Sequence, residues 1–354
     1  MDPINISPET ALEEARNFNL KLARGMKTLS GLEEPVPYAT EKEVVYAEDK
    51  LRLFHYEPRV ERPCGVPVLI AYALVNRPYM TDLQPDRSMV RNLLDHGMDV
   101  YLIDWGYPDA ADRWLTMDDY ISGYLRNCVD FIREKHGLDA INLLGICQGG
   151  TFSLCYASLY PETVRNLITM VTPVDFQTPD NLLSHWAQDL DIDLLVDTLG
   201  NIPADLMNLT YLSLKPYRLT GQKYLGLVDI LDDAEQAQNF LCMEKWIFDS
   251  PDQAGECFRQ FNKDCYQKNL LIKGELELGG RRVDPSRITM PVLNVYAEQD
   301  HLVPPSASRP LGDLVGTGDY TVKAFKGGHI GIYVSGRAQR EVPPFIAEWI
   351  TARV

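Results

Sequence analysis

A chain of 354 residues with 45% hydrophobic and 24% charged content has room for one large core with an inserted cap, or for two domains. Its formal net charge of −16 argues against a nucleic-acid partner, because phosphate binding relies on clustered Lys and Arg. Seven cysteines without paired short spacings argue against a disulfide framework, and six scattered histidines show no ligand spacing, so no metal is expected.

The N-terminal residues Met1, Asp2, Pro3, Ile4 and Asn5 lack the basic and apolar regions of a signal peptide, and no apolar run reaches bilayer length. A cytoplasmic protein is the expectation. Ser7 followed by Pro8 suits an N-cap and first helical position, and the spacing predicts a helix over residues 8–17. Residues 1–40 read as an N-terminal segment packing on the core, with a docking element for a partner as the sharper alternative.

Residues 43–46 and 51–56 read as an antiparallel hairpin. The pattern then changes to apolar runs of strand length at 66–72, 99–104, 141–144 and 164–170, with helical spacing of Tyr120, Tyr124, Cys128, Phe131 and Ile132 between the second and third. Strands buried on both faces and alternating with amphipathic helices predict an α/β fold with a mostly parallel sheet. Residues 41–176 form its first part. From 177 to 281 the strand rhythm stops, and a helical, Pro-interrupted stretch reads as a cap over the site. Asp189, Asp191, Asp193 and Asp197 within it read as a solvated helix face. The sheet resumes at 290–296 and 320–325, and residues 342–353 close the second part, 282–354, as a helix.

The chemistry centres on Leu144-Gly145-Ile146-Cys147-Gln148-Gly149-Gly150, between a buried strand and a helix. A nucleophile elbow needs small residues two positions either side of the nucleophile, because strand and helix backbones pass close together there, and Gly145 and Gly149 meet that need. The sequence thus places Cys147 where a hydrolase carries serine. The base is His329, within Lys326-Gly327-Gly328-His329-Ile330-Gly331 after the last strand. The acid is Asp300 at the carboxyl end of the strand before it, with Glu298 and His301 as neighbouring alternatives. The order nucleophile, acid, histidine is that of α/β-hydrolases. The backbone N–H of Gln148 supplies one oxyanion donor, and the loop Ala73-Leu74-Val75-Asn76-Arg77-Pro78 the other, assigned to Val75.

These residues carry a family resemblance. Gly145 to Gly150, Val75-Asn76-Arg77-Pro78-Tyr79, Leu83-Gln84-Pro85, Asp104-Trp105-Gly106, Thr172-Pro173-Val174-Asp175-Phe176, Asp300-His301 and Gly327 to Gly331 together make the chain resemble the catalytic subunit of class III polyhydroxyalkanoate synthases over essentially its whole length. The resemblance implies polymerisation of (R)-3-hydroxyacyl-CoA, chiefly 3-hydroxybutyryl-CoA, with release of CoA and no cofactor. It implies Cys147 as the acyl-accepting nucleophile and His329 as its base. Asp300 would orient His329 or help activate the 3-hydroxyl. It further implies a mobile cap, a second, noncatalytic subunit (PhaE type), a homo-oligomer, and assembly at the surface of polymer granules. Arg281, Arg282, Arg287 and Lys326 either meet CoA phosphates or form solvated surface. A cysteine hydrolase or acyl-CoA thioesterase would share the same triad, and a noncatalytic granule-binding protein would share only the fold.

Overall fold

The computed structural model describes residues 7–32 and 34–354, so residues 1–5, read above for targeting, lie outside the described residues. An eight-stranded sheet forms the centre. It opens with the expected hairpin, β1 (Lys42–Glu48) and β2 (Leu51–Tyr56), joined by Asp49 and Lys50 alone. Asp49 takes the left-handed conformation, φ +50°, that lets so short a connection turn, and short polar side chains tolerate that region. The remaining strands are β3 (Val68–Ala71), β4 (Val100–Asp104), β5 (Ile141–Ile146), β6 (Val164–Met170), β7 (Val292–Ala297) and β8 (Tyr320–Phe325).

Their order across the sheet is β1-β2-β4-β3-β5-β6-β7-β8. The β1–β2 and β2–β4 pairs are antiparallel, and every other neighbour is parallel. Strands β3, β4, β5 and β7 are buried at every residue, as a sheet covered by helices on both faces requires. Because β3, β5, β7 and β8 run in one direction, the loops at 72–77, 147, 298–303 and 326–330 all leave the same edge. In open α/β sheets this carboxyl edge is where ligands bind.

Helix α1 (Pro8–Leu29) extends twelve residues beyond the expected 8–17. Its second half is rich in Leu, Lys, Ala and Arg, all strong helix formers, and holds no proline. The helical spacing from Tyr120 to Ile132 falls on two elements, a wider π turn at Asp119–Leu125 and helix α2 (Arg126–His136). Helix α3 (Gln148–Leu159), directly after Cys147, is buried at every position, its Thr151, Ser153 and Ser158 hydroxyls satisfied by the Pro173, Gly149 and Leu154 carbonyls. The closing helix α4 (Gly336–Thr351) starts six residues earlier than expected because Ser335 caps it, its hydroxyl accepting from the Ala338 N–H at 3.1 Å.

The chain divides into two compact units, one comprising the N-terminal residues through Val36 with Asn208–Phe248, the other Pro37–Met207 with Asp249–Val354. These boundaries differ from 1–40 and 177–281. In the smaller unit α1 packs on the helices Lys223–Ile230 and Ala234–Phe248, with Gly25 pressed against Leu231 and Lys21 paired to Asp229 at 3.0 Å. No local periodicity tells which sequence-distant helices share a core, so this division is invisible to a strand-and-helix reading.

The larger unit keeps the rest of the helical insertion. Phe176, Phe261 and Tyr266 meet edge to face with centroids 5.0 to 5.8 Å apart. Ile202 and Gln253 exchange backbone hydrogen bonds at 2.9 Å in both directions. Asp193 and Asp197 pair with Arg259 at 2.6 and 2.5 Å, and Asp193 also with Lys263 at 2.5 Å, so two of the four acids are partnered, while exposed Asp191 caps the next helix on the Leu194 N–H at 2.9 Å. Among the described residues no helix is long and apolar enough to cross a membrane.

Candidate active site

Cys147 sits between β5 and α3 with φ +55° and ψ −124°, a region that L residues avoid. The surroundings enforce this strain. A Cβ on Gly149 would collide with the carbonyl oxygens of Ala71 and Tyr72, and one on Gly145 would meet the Gly150 Cα and the Ser153 hydroxyl. One on Gly150 would strike the Thr172 hydroxyl, which accounts for the run of three glycines around the turn and for the Thr172-Pro173 motif opposite. The Thr151 hydroxyl donates to the Pro173 carbonyl at 3.0 Å and ties the two together. Cys147 is the one cysteine of this region left partly accessible; Cys128, Cys155, Cys257 and Cys265 are buried, and burial pushes their thiols up.

His329 and Asp300 converge on this turn. The Nδ1 of His329 lies 2.7 Å from Asp300 Oδ2, with both side chains buried. The other carboxylate oxygen, Oδ1, accepts from the backbone N–H groups of Leu302 and Val303 at 2.9 and 3.0 Å. Glu298, one of the alternatives for the acid, is exposed, and the carboxylate on His329 is that of Asp300. With Nδ1 held by Asp300, the second ring nitrogen is left for the elbow, and the charge of Cys147 acts on the imidazole. Burial opposes the imidazolium, but Asp300 and then Cys147 more than offset it, and the His329 pKa is pushed up to about 10. This assembly can take a proton from sulfur, hold it in a fixed tautomer and return it.

The oxyanion side is equally constrained. Gln148 is the first residue of α3, where a backbone N–H has no acceptor within the helix. Its side-chain Oε1 accepts from the Leu74 N–H at 3.1 Å and so latches the elbow to the loop after β3. The Tyr72 carbonyl is held by the Trp105 indole at 2.9 Å, and the Leu74 carbonyl by the Gln253 amide at 2.9 Å. Among the described residues the Val75 N–H has no protein acceptor, and Val75 is half-buried beside the elbow.

Beyond it, Asn76 turns with φ +59° and donates to the Ser250 hydroxyl at 2.5 Å, while Arg77 pairs with buried Asp104 at 2.5 Å. Asp104 also accepts from the Tyr38 hydroxyl at 2.6 Å, and Tyr79 donates to Asp249 at 3.0 Å. The Asn76-Arg77-Pro78-Tyr79 and Asp104-Trp105-Gly106 motifs are thus one buried network behind the loop.

The sequence reading did not single out Tyr72 and Tyr333. Both are buried, Tyr333 presents its ring edge to His329 at 6.4 Å, and burial with the charge of Cys147 raises both hydroxyls. The one signal in the sequence is that Tyr333 follows His329 by four residues, one helical turn. The basic residues separate. Arg281 donates to the Tyr160 hydroxyl at 2.6 Å beyond the far end of α3, roughly 18 Å from Cys147 by helix rise. Arg282 is bound to the Gly274 carbonyl at 2.6 Å, Arg287 is exposed, and Lys326 is exposed on the loop that carries His329.

A parallel sheet with a strained cysteine elbow and a histidine and aspartate on the last two strand ends defines an α/β-hydrolase-fold protein with sulfur in the nucleophile position. A family model for the alpha/beta hydrolase fold matches residues 66–335, and one for the poly-beta-hydroxybutyrate polymerase (PhaC) N-terminus matches residues 36–93. The monoacylglycerol lipase of Paleococcus ferrophilus has the same fold, with a TM-score of 0.50 at 18% identity over 85% of this chain and 99% of that one. The chain is 60% identical to the poly(3-hydroxyalkanoate) polymerase subunit PhaC of Allochromatium vinosum over 100% of both proteins. It is 56% identical to that of a Synechocystis strain, over 98% of this chain and 94% of the relative. The chain belongs to the poly(3-hydroxyalkanoate) polymerase PhaC family.

Proposed function

We propose that this chain is the catalytic subunit of a class III poly(3-hydroxyalkanoate) synthase, an acyltransferase that builds polyester from (R)-3-hydroxyacyl-CoA, chiefly 3-hydroxybutyryl-CoA. The observation that carries the reading is an accessible cysteine at φ +55° on the elbow, beside an imidazole that Asp300 holds at 2.7 Å, in a chain of this family.

In this reading His329 takes the proton from Cys147 and the thiolate attacks the carbonyl carbon of the acyl thioester. The N–H groups of Gln148 and Val75 stabilise the resulting oxyanion. The bond from carbon to the CoA sulfur breaks, CoA leaves with the proton from His329, and the acyl group remains on Cys147. The 3-hydroxyl of a second hydroxyacyl group then attacks the Cys147 thioester. Its proton passes to His329, the new ester bond forms, and the bond to Cys147 breaks. Asp300 orients His329 throughout, with Oδ2 on Nδ1 and Oδ1 fixed by the loop backbone.

A sulfur nucleophile suits a polymerase. Exchange between two thioesters is close to isoenergetic, so the energy of each CoA ester is retained until the polyester bond forms. Water has to be kept from the acyl-enzyme, and the helical insertion within the larger unit, residues 177–207 and 249–281, is the screen. The reaction needs no cofactor, CoA being a product. The setting is cytoplasmic, at polymer granules, with a second noncatalytic subunit and a homo-oligomer.

Purified protein given 3-hydroxybutyryl-CoA tests this directly. Turbidity and insoluble polyester are expected, and stoichiometric soluble hydroxy acid with released CoA would replace the synthase by a thioesterase. With a saturated acyl-CoA lacking the 3-hydroxyl, mass spectrometry should find a stable acyl adduct on Cys147.

A further inference from the structure

The Leu74 carbonyl and the Val75 N–H belong to one peptide group. In a trans peptide the two point in opposite directions, so whatever holds the carbonyl also aims the N–H. The group that holds it is the side-chain amide of Gln253, which donates to the Leu74 oxygen at 2.9 Å across 179 positions of sequence. The other side of Leu74 is closed by the Gln148 side chain on its N–H at 3.1 Å. We infer that Gln253 is a positioning residue of the oxyanion hole, setting the direction of the Val75 N–H through the shared peptide plane. This rests on the reading of Val75 and Gln148 as the oxyanion donors.

Two features fit Gln253 for the task. Its own backbone is fixed independently of its side chain, because the N–H and carbonyl of residue 253 both bond Ile202 at 2.9 Å. The amide therefore reaches Leu74 from a rigid base, and the residue is buried at 4% exposure, where a misdirected donor would find no water in compensation. A hydrogen bond accepted by the Leu74 oxygen also polarises the same peptide and makes the Val75 N–H a stronger donor. Three and four residues earlier, Ser250 and Asp249 hold Asn76 and Tyr79, so a segment of five residues grips the loop after β3 at three points.

Gln253→Met keeps the length of the side chain and loses the donor, while Gln253→Glu keeps the shape and turns the donor into an acceptor. The Ile202 bridge is backbone and survives either change. For the full chain with 3-hydroxybutyryl-CoA, kcat should fall roughly 10- to 100-fold in both, short of the roughly 10²- to 10³-fold typical of losing an oxyanion donor outright. KM should stay within about threefold, since the ground-state carbonyl makes little use of the hole. Alkylation of Cys147 by iodoacetamide passes through no oxyanion and should keep its wild-type rate, which a general loosening of the site would not allow.

The companion experiment replaces valine 75 by its α-hydroxy analogue, so that an ester oxygen stands where the N–H was. A large fall in kcat there, with Gln253→Met adding little on top of it, supports the inference. If the ester lowers kcat and neither Gln253 variant does, the inference is overturned while Val75 stands. If the ester is harmless, the Val75 assignment and the inference fall together. Parallel loss of alkylation and turnover in the Gln253 variants overturns the positioning role in favour of a structural one.

Discussion

Asp300 and His329 are joined by a 2.7 Å contact through Oδ2, while Oδ1 accepts from the Leu302 and Val303 N–H groups. In the proposed mechanism this arrangement gives Asp300 the task of orienting the imidazole. Asp300→Asn preserves the acceptor for the two backbone donors, but its amide faces Nδ1 and favours the wrong tautomer. Loss of the orienting acid in a triad costs roughly 10⁴-fold in turnover in the best-studied case. A fall of about 10³-fold or more is expected in single-turnover acylation by 3-hydroxybutyryl-CoA, with a urea midpoint near neutral pH that also falls because the buried imidazolium loses its partner. A fall of less than about tenfold would move Asp300 out of the orienting role.

His329 also makes stability depend on pH in a defined direction. Burial works against its charge, but Asp300 and Cys147 raise its folded pKa to about 10, whereas an unfolded histidine titrates near 6.5. Between those values the folded chain holds a proton that the unfolded chain has released, so stability falls as pH rises. The contribution is whole below about pH 6.5 and gone above about pH 10. In His329→Gln that slope should vanish. Urea midpoints of the two proteins from pH 6 to 10 check it: wild type should lose more than the variant across the window, and equal slopes would mean that His329 does not hold its proton.

How much of this was readable in advance follows from range. Cys147, Gly145 and Gly149 were legible because strand, turn and helix lie within about twenty residues, and the steric demand of the turn is local. Asp300 and His329 were legible because parallel strands deliver their carboxyl ends to one edge, so chain order alone brings them near the elbow. Gln253 was not, because it touches Leu74 across 179 positions and no period in the sequence marks a single glutamine. The Tyr38 bond to Asp104 across 66 positions was hidden in the same way. The partner of α1 was hidden because an amphipathic helix announces that it packs, but not against what.

The glycines offer a test of the elbow that does not use activity. Gly149→Ala places a methyl group against the carbonyls of Ala71 and Tyr72, which are backbone and lie between β3 and the latched loop. Neither can swing aside as a side chain would. Overpacking of a rigid interior costs about 1–3 kcal/mol, and here the strain is relieved only by separating β3 from α3. Equilibrium urea unfolding should show that loss, and iodoacetamide should alkylate Cys147 at an altered rate because the elbow opens. Gly226→Ala, within a helix and with nothing within 4 Å of an added Cβ, is the control and should unfold at or slightly above the wild-type midpoint, alanine being the better helix former by up to about 1 kcal/mol.

Cys147→Ser separates the geometry of the site from the chemistry of sulfur. The turn at φ +55° accepts serine as readily as cysteine, since the strain is in the backbone and the two side chains differ by one atom. His329 and Asp300 remain in place. What changes is the intermediate. A free thiol ionises near pH 8.5 and exchanges with a thioester at little net cost, whereas a hydroxyl is far harder to ionise and its ester lies lower in energy than the CoA thioester. Acylation of the serine should therefore be slow but thermodynamically favoured, and transfer from it to a 3-hydroxyl should lose most of its driving force. The expected result is acyl-enzyme accumulation by mass spectrometry with CoA release limited to about one equivalent, and polymer formation reduced by at least about 10³-fold, on the scale of losing the catalytic nucleophile. Polymer at a rate near wild type would show that sulfur is dispensable and would undo the argument that the elbow carries cysteine in order to conserve the energy of each thioester.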